Sequence, residues 1–121
     1  MSHLTKIGTS FQNLSYLEKA LIRLEIPSFK NNGLMKTYDL ILPQDKNNDL
    51  VFRWDGKSFA LNVDYDYWNR EYSVSHFTTC IKKEYVVETI VGESQKFGFK
   101  PIQIEQNLDG SKIVSLQRFK Y

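Results

Sequence analysis

Cysteine, histidine and long apolar runs are what this chain has least of, and each shortage closes off a class of protein. The one cysteine, Cys80, excludes an internal disulfide and fits a reducing compartment, where it is expected to pack as a small hydrophobe. Two histidines, His3 and His76, cannot with that cysteine supply the four N or S ligands of a structural zinc site, although His76 and Cys80 stand one helical turn apart. No apolar run approaches the roughly 18 residues of a membrane-spanning helix. The opening MSHLTKIGTS has neither the apolar core of a secretory signal nor the Arg-rich amphipathic character of a transit peptide. The expectation is therefore a protein that stays in the compartment that makes it.

Catalytic signatures are missing too. The chain has no GxGxxG, Walker A loop, HExxH, GxSxG or CxxC, and the absence of each removes a common nucleotide, metalloprotease, hydrolase or redox reading. No cofactor and no metal are expected. Charge of one sign is equally scarce, with 16 Lys and Arg against 14 Asp and Glu for a net charge of +2. That balance is too mild to imply nucleic acid. Its distribution is uneven: residues 1–37 carry five basic and two acidic groups (+3), residues 38–72 four and seven (−3), residues 73–121 seven and five (+2). The acidic middle third disfavours phosphate-backbone contacts.

What is present is a globular composition and a set of legible elements. A chain of 121 residues suits one domain over residues 1–121, burying about two-thirds of its unfolded surface. The centre is FRWDGKSFALNVDYDYW, Phe52 to Trp68, where an Asp-Gly pair between alternating apolar residues signals a β-hairpin. A two-residue loop at Asp55-Gly56 sets Arg53 against Ser58, Phe52 against Phe59, Val51 against Ala60 and Leu50 against Leu61. One face then holds Leu50, Phe52, Trp54, Phe59, Leu61 and Val63, and a slip by a single residue would turn all of them over.

Around this hairpin the chain reads in order. Residues 3–11 alternate as a strand, with His3, Thr5, Ile7, Thr9 and Phe11 on one side and Leu4 on the other. Asn13 or Ser15 caps a helix whose Leu14, Leu17, Ala20, Leu21 and Leu24 form one apolar stripe, and Pro27 ends it. Residues 27–38 read as a loop, and Tyr38 to Leu42 as a short strand stopped by Pro43. A second helix spans Ser75 to Phe97, with Phe77, Cys80, Ile81, Val87 and Val91 on its apolar side and Glu84 and Glu88 interrupting it. A kink is expected at Gly92 and a left-handed cap at Gly98. The closing PIQIEQNLDGSKIVSLQRF is a hairpin with a three-residue loop, Leu108-Asp109-Gly110, that sets Ile104 against Val114 and Ile102 against Leu116. The predicted class is α+β in the order β-α-β-β-β-α-β-β, a largely antiparallel sheet of five to six strands with two helices packed on one face.

The candidate ligand- or partner-binding residues follow the central hairpin. Asp64 and Asp66 are two apart on a strand and share a face, so they can bind a hard cation or exchange protons, but no third ligand accompanies them. Solvation is the plainer expectation. Tyr65 and Tyr67 continue the core face and are expected to pack there, whereas Trp68 lies past the alternation and is the stronger anchor candidate. With Trp54 and Arg70 these make a set of Trp54, Asp64, Asp66, Tyr67, Trp68 and Arg70 for a ligand or partner. No catalytic residue is assigned.

Three stretches carry a resemblance. MSHLTKIGTSFQNLSYLEKAL, the central FRWDGKSFALNVDYDYW, and the closing EYVVETIVGESQKFGFKPIQIEQNLDGSKIVSLQRFKY together resemble the hypothetical chloroplast reading frame 35 family of plastid and cyanobacterial proteins. The specific marks are the Met-Ser-His start, the aromatic hairpin with Trp and Gly at its turn, Asp64 followed by Tyr67-Trp68, and Leu116 to Arg118. Phe119 stands where a Trp is usual. The resemblance implies a plastid-encoded protein of the stroma and carries over no catalytic residues. The function expected is that of a small soluble, non-enzymatic accessory factor acting on an unknown protein partner. The alternative is a small-ligand-binding domain or enzyme with its pocket near Asp64 to Arg70.

Overall fold

The computed structural model describes residues 4–33, 37–44, 49–65, 68 and 73–119. The order is β1 (Leu4–Ile7), α1 (Leu14–Arg23), β2 (Phe29–Asn32), β3 (Tyr38–Leu42), β4 (Leu50–Trp54), β5 (Phe59–Asp64), α2 (Val74–Lys96), β6 (Phe99–Gln106) and β7 (Lys112–Arg118). Strands β1 to β5 form one antiparallel sheet in the order β1-β5-β4-β3-β2. The expected α+β class holds. Two details differ: β2 lies in what reads as a loop, and β6 and β7 pair only with each other, as a separate ribbon.

β2 escapes pattern reading because all four of its residues are exposed, so no side-chain period marks it. It pairs with β3 as an edge strand, from Phe29 opposite Ile41 to Asn32 opposite Tyr38, with the Lys30 ammonium over the Tyr38 ring.

The central hairpin pairs in a different register from the one expected. Trp54 faces Phe59, Arg53 faces Ala60, Phe52 faces Leu61 and Val51 faces Asn62, which leaves a four-residue loop, Asp55 to Ser58. Two interactions favour it. The Asp55 carboxylate accepts the N–H groups of Lys57 and Ser58 at 2.9 and 3.0 Å, an Asx turn that a two-residue loop could not close. The Trp54 and Phe59 rings meet edge to face at 5.1 Å. Because each partner moves by two residues, the side-chain faces are unchanged. Leu50, Phe52, Phe59, Leu61 and Val63 are all buried, as the alternation requires, and Trp54 is half-buried beside them.

The helices pack on that face. α1 is capped by Asn13, whose side chain accepts the Tyr16 N–H at 3.0 Å, so Asn13 and not Ser15 opens it. Its stripe of Leu17, Ala20 and Leu21 is fully buried. It ends before Pro27 acts, in a paired-carbonyl cap in which Glu25 N–H donates to the Ile22 carbonyl and Ile26 N–H to that of Leu21. Glu25 occupies the left-handed position, at φ 57°, where glycine is usual.

α2 starts at Val74, one residue before the expected Ser75, with Ser73 as its cap accepting the His76 N–H. Val86, Val87, Thr89 and Ile90 favour strands, yet the helix prevails, because Val74, Phe77, Ile81 and Tyr85 recur at spacings of three and four and are buried together. Cys80 is half-buried and not part of that face. The helix runs unbroken through Gly92. A methyl group there would lie 2.4–2.6 Å from the buried Tyr16 ring, so this glycine exists for a close helix–helix approach and not for a kink. The Tyr85 hydroxyl accepts the N–H groups of Gln12 and Asn13, both at 3.0 Å, which fixes the entry of α1 against α2.

Glu84 and Glu88, which interrupt the apolar side in sequence, are both buried. Each has a cationic partner from another element: Glu84 bonds Lys112 of β7 and Glu88 bonds Arg23 of α1. Buried carboxylates persist only when paired in this way.

Candidate functional site

The sequence-derived candidates fall into two groups. Asp66, Tyr67 and Arg70 lie outside the described residues. Asp64 ends β5 opposite Leu4. Trp68 is half-buried, with its ring 5.4 Å from that of Phe77, edge to face, so it leans on the α2 side of the core. Tyr65 departs from expectation: it is 54% exposed, because β5 ends at Asp64 and the alternation that would have carried Tyr65 into the core ends with it. Trp54 lines a cavity of about 310 Å³ together with Gln12, Leu14, Thr37, Tyr38 and Phe59. Sequence reasoning did not bring Tyr38 to Trp54, because the two are joined only through strand pairing. The Cys80 thiol lies 3.4 Å from His76 Nε2. Among the described residues, no three His, Cys, Asp or Glu side chains gather as a metal site.

A second surface is larger, and no motif marked it. After Gly98, in the left-handed conformation at φ 84°, the chain reverses and the β6–β7 ribbon runs back along α2. At ~3.3 Å per residue the eight residues of β6 reach about 26 Å. At ~1.5 Å per residue on the helix, that carries the ribbon tip back to the level of Lys82, where Gly110 lies close to Lys83. The loop forms as its spacing predicts: Gly110, at φ 88°, follows Leu108-Asp109, Asn107 N–H donates to the Ser111 carbonyl at 2.8 Å, and Ile104 faces Val114. Further back a bulge at Ile102 sets Pro101, not Ile102, against Leu116. The base is closed by Phe119 N–H donating to the Gly98 carbonyl at 2.7 Å.

This ribbon is held to α2 by the Glu84–Lys112 pair, yet no residue from Phe97 to Phe119 is fully buried. Phe97 is 75% exposed, Leu108 stands wholly in solvent at the tip, and Ile102 and Ile113 are exposed along the strands. The register puts Lys100, Gln103, Glu105 and Gln117 on the outward face, while Phe99, Pro101, Ile104, Val114 and Leu116 on the other face are half-buried along α2.

Asp109 and Asp55 anchor the tips of the two hairpins. Ser111, through its hydroxyl and its N–H, holds the Asp109 carboxyl below the usual range, with Lys83 adding to the effect. Asp55 is held low by the Ser58 and Lys57 N–H groups and by Lys6 at 3.5 Å.

The architecture is thus an α+β sandwich with a ribbon laid along its long helix, and it presents exposed apolar side chains along that ribbon. The chain belongs to the family described as a protein of unknown function (DUF1257), whose profile matches residues 13–114. It is similar to the uncharacterized protein ycf35 of Trieres chinensis, at 44% identity over 119 residues, covering 92% of this chain and 93% of that protein. The ycf35 proteins of Cyanophora paradoxa (33% identical) and Pyropia yezoensis (30%) match over the whole length of both chains. The resemblance read from the sequence is therefore correct, and these relatives are plastid reading-frame proteins. No solved structure matches. No helix among the described residues is long and apolar enough to cross a membrane.

Proposed function

We propose that this chain is a small, non-enzymatic accessory factor of the plastid stroma that works by binding another protein through the β6–β7 ribbon and the adjoining side of α2. One observation carries the reading: a stretch of 23 residues, Phe97 to Phe119, is ordered into a ribbon without burying one of them. An isolated two-stranded hairpin is marginal in water, and large exposed apolar groups in one region mark a surface that is covered in use. Ile90, Phe97, Ile102, Leu108, Ile113 and Phe119 are more than a third exposed in this region. Trp54, Asp64, Asp66, Tyr67, Trp68 and Arg70 belong to a second, smaller contact, with Trp54 and Tyr38 offering ring faces at the Trp54 cavity. The plastid placement rests on the ycf35 relatives.

The test is co-purification of the tagged full chain from plastids, in wild-type form and as the I102S/I113S double variant. A partner recovered near one-to-one with the wild type, and at least tenfold depleted with a variant of unchanged circular dichroism, is the expected result. Recovery of the bare monomer in both cases would remove the basis for the reading.

A further inference from the structure

Where the ribbon tip meets α2 it leaves a cavity of about 460 Å³, lined by Thr79, Lys82, Lys83 and Val86 of the helix and by the turn from Asp109 to Lys112. This is within the usual size of small-ligand sites. A second cavity of about 310 Å³ adjoins it, sharing Thr79 and Lys82 and reaching the Gly8 to Phe11 segment.

The electrostatics of the larger cavity are uneven. Lys112 is neutralised by the buried Glu84. Lys82 and Lys83 form no ion pair within 4 Å among the described residues. Asp109, the one carboxylate of the lining, is already engaged by the Ser111 N–H and hydroxyl at 2.9 and 2.6 Å. The Thr79 hydroxyl donates to the Ser75 carbonyl, so it offers a ligand only its lone pairs. The donors left to meet a ligand are the two ammonium groups, of which Lys83 also feels the Asp109 carboxylate. Neighbouring residues on a helix point about 100° apart, so Lys82 and Lys83 reach the cavity from different sides. The Lys83 ammonium lies over the tip, 2.9 Å from where a methyl group on Gly110 would stand. Val86 and the lysine stems supply an apolar wall.

From this arrangement we infer that the cavity between α2 and the ribbon tip binds a small organic phosphate, an oxyanion on a body of about nucleotide size. Two separated point charges suit the three oxygens and near-double charge of a phosphate monoester better than a planar carboxylate, for which the arginine fork is the better match. Lys82 and Lys83 contact the phosphate, and Val86 lies against the body. The site borders the protein contact proposed above at the ribbon tip, but its test reads binding to the isolated chain and so stands apart from that reading.

The test uses the isotope-labelled full chain, titrated at fixed ionic strength with AMP, adenosine and inorganic phosphate, and followed by amide NMR shifts. Saturable shifts with AMP at Thr79, Lys82, Lys83, Gly110 and Ser111 are expected, with adenosine at least tenfold weaker and inorganic phosphate weaker than AMP. Loss of one charged contact lowers affinity by about tenfold or more. The K82Q and K83Q variants should each show that loss while their remaining spectra stay unchanged. Equal responses to AMP and inorganic phosphate would overturn the inference, as would shifts located elsewhere or K82Q and K83Q variants that bind like the wild type.

Discussion

Gly92 and Tyr16 show at the scale of single residues how the sequence is to be read. A glycine in a helix interior costs about 1 kcal/mol against alanine, so propensity says that G92A should stabilise α2. The structure says the opposite, because the new methyl would enter the buried Tyr16 ring. Overpacking of this kind costs about 1–3 kcal/mol. G92A is therefore expected to lower the melting temperature in the wild-type background and to cost nothing further in a Y16A background, where the clashing ring is gone; a G92A protein more stable than wild type would show that the contact is not tight. The sequence held the glycine but not its partner, 76 positions away, and so it read as a kink.

Asp55 is the other residue with a definite expectation. Its carboxyl is held below the ordinary range by the N–H groups of Ser58 and Lys57 and by Lys6. A carboxyl whose folded-state pKa is depressed adds stability above its unfolded pKa of about 3.9, and loses it as pH falls through the folded value. The acid limb of the stability curve below about pH 4 should therefore be shallower in D55N than in the wild type. Identical limbs would mean that the turn does not sense this proton.

Among the elements, the β6–β7 ribbon is the one whose attachment is most exposed to test. Beside the packing of both strands along α2, it is linked to the helix by the Glu84–Lys112 pair, with side chains only 10% and 18% exposed. Removing one partner of a buried pair strands the other, at a cost of up to about 3–5 kcal/mol. In E84Q, amide hydrogen exchange should quicken through Phe99–Gln106 and Lys112–Arg118 while protection of β4 and β5 is kept. Uniform quickening would instead make the ribbon part of one cooperative unit with the sheet.

The two hairpins also mark how far elements were legible. The ribbon loop was readable because Gly110 and the pairing of Ile104 with Val114 allow a single solution. The central hairpin was readable in its faces but not its register, since Leu50, Phe52, Leu61 and Val63 tolerate a two-residue slide and the decision falls to the Asp55 side chain. β2 gave no signal because its four side chains are all exposed and so carry no burial period. Glu84 and Glu88 read as interruptions because their partners, Lys112 and Arg23, come from other elements.

At the scale of the whole molecule, the core is conventional and the surface is not. Leu17, Leu21, Leu40, Leu42, Phe52, Leu61 and Phe77 are wholly enclosed between α1, α2 and the sheet, and residues 97–119 add no fully buried side chain to them. The outward apolar side chains of that ribbon, Ile102, Leu108 and Ile113, then need another reason. The protein partner proposed above would supply it, and the DUF1257 family membership over residues 13–114 includes most of the ribbon. That part of the account could not be read from the sequence, where the ribbon looks like two ordinary sheet strands until its exposure is seen.

The most direct measurement places a photo-crosslinking amino acid at Ile102 on the ribbon, and separately at Ile22 on the exposed side of α1, in the full chain expressed in plastids. The account predicts one dominant crosslinked protein from position 102 and none from position 22. Equal crosslinking from both positions, or only uncrosslinked monomer from position 102, would contradict it.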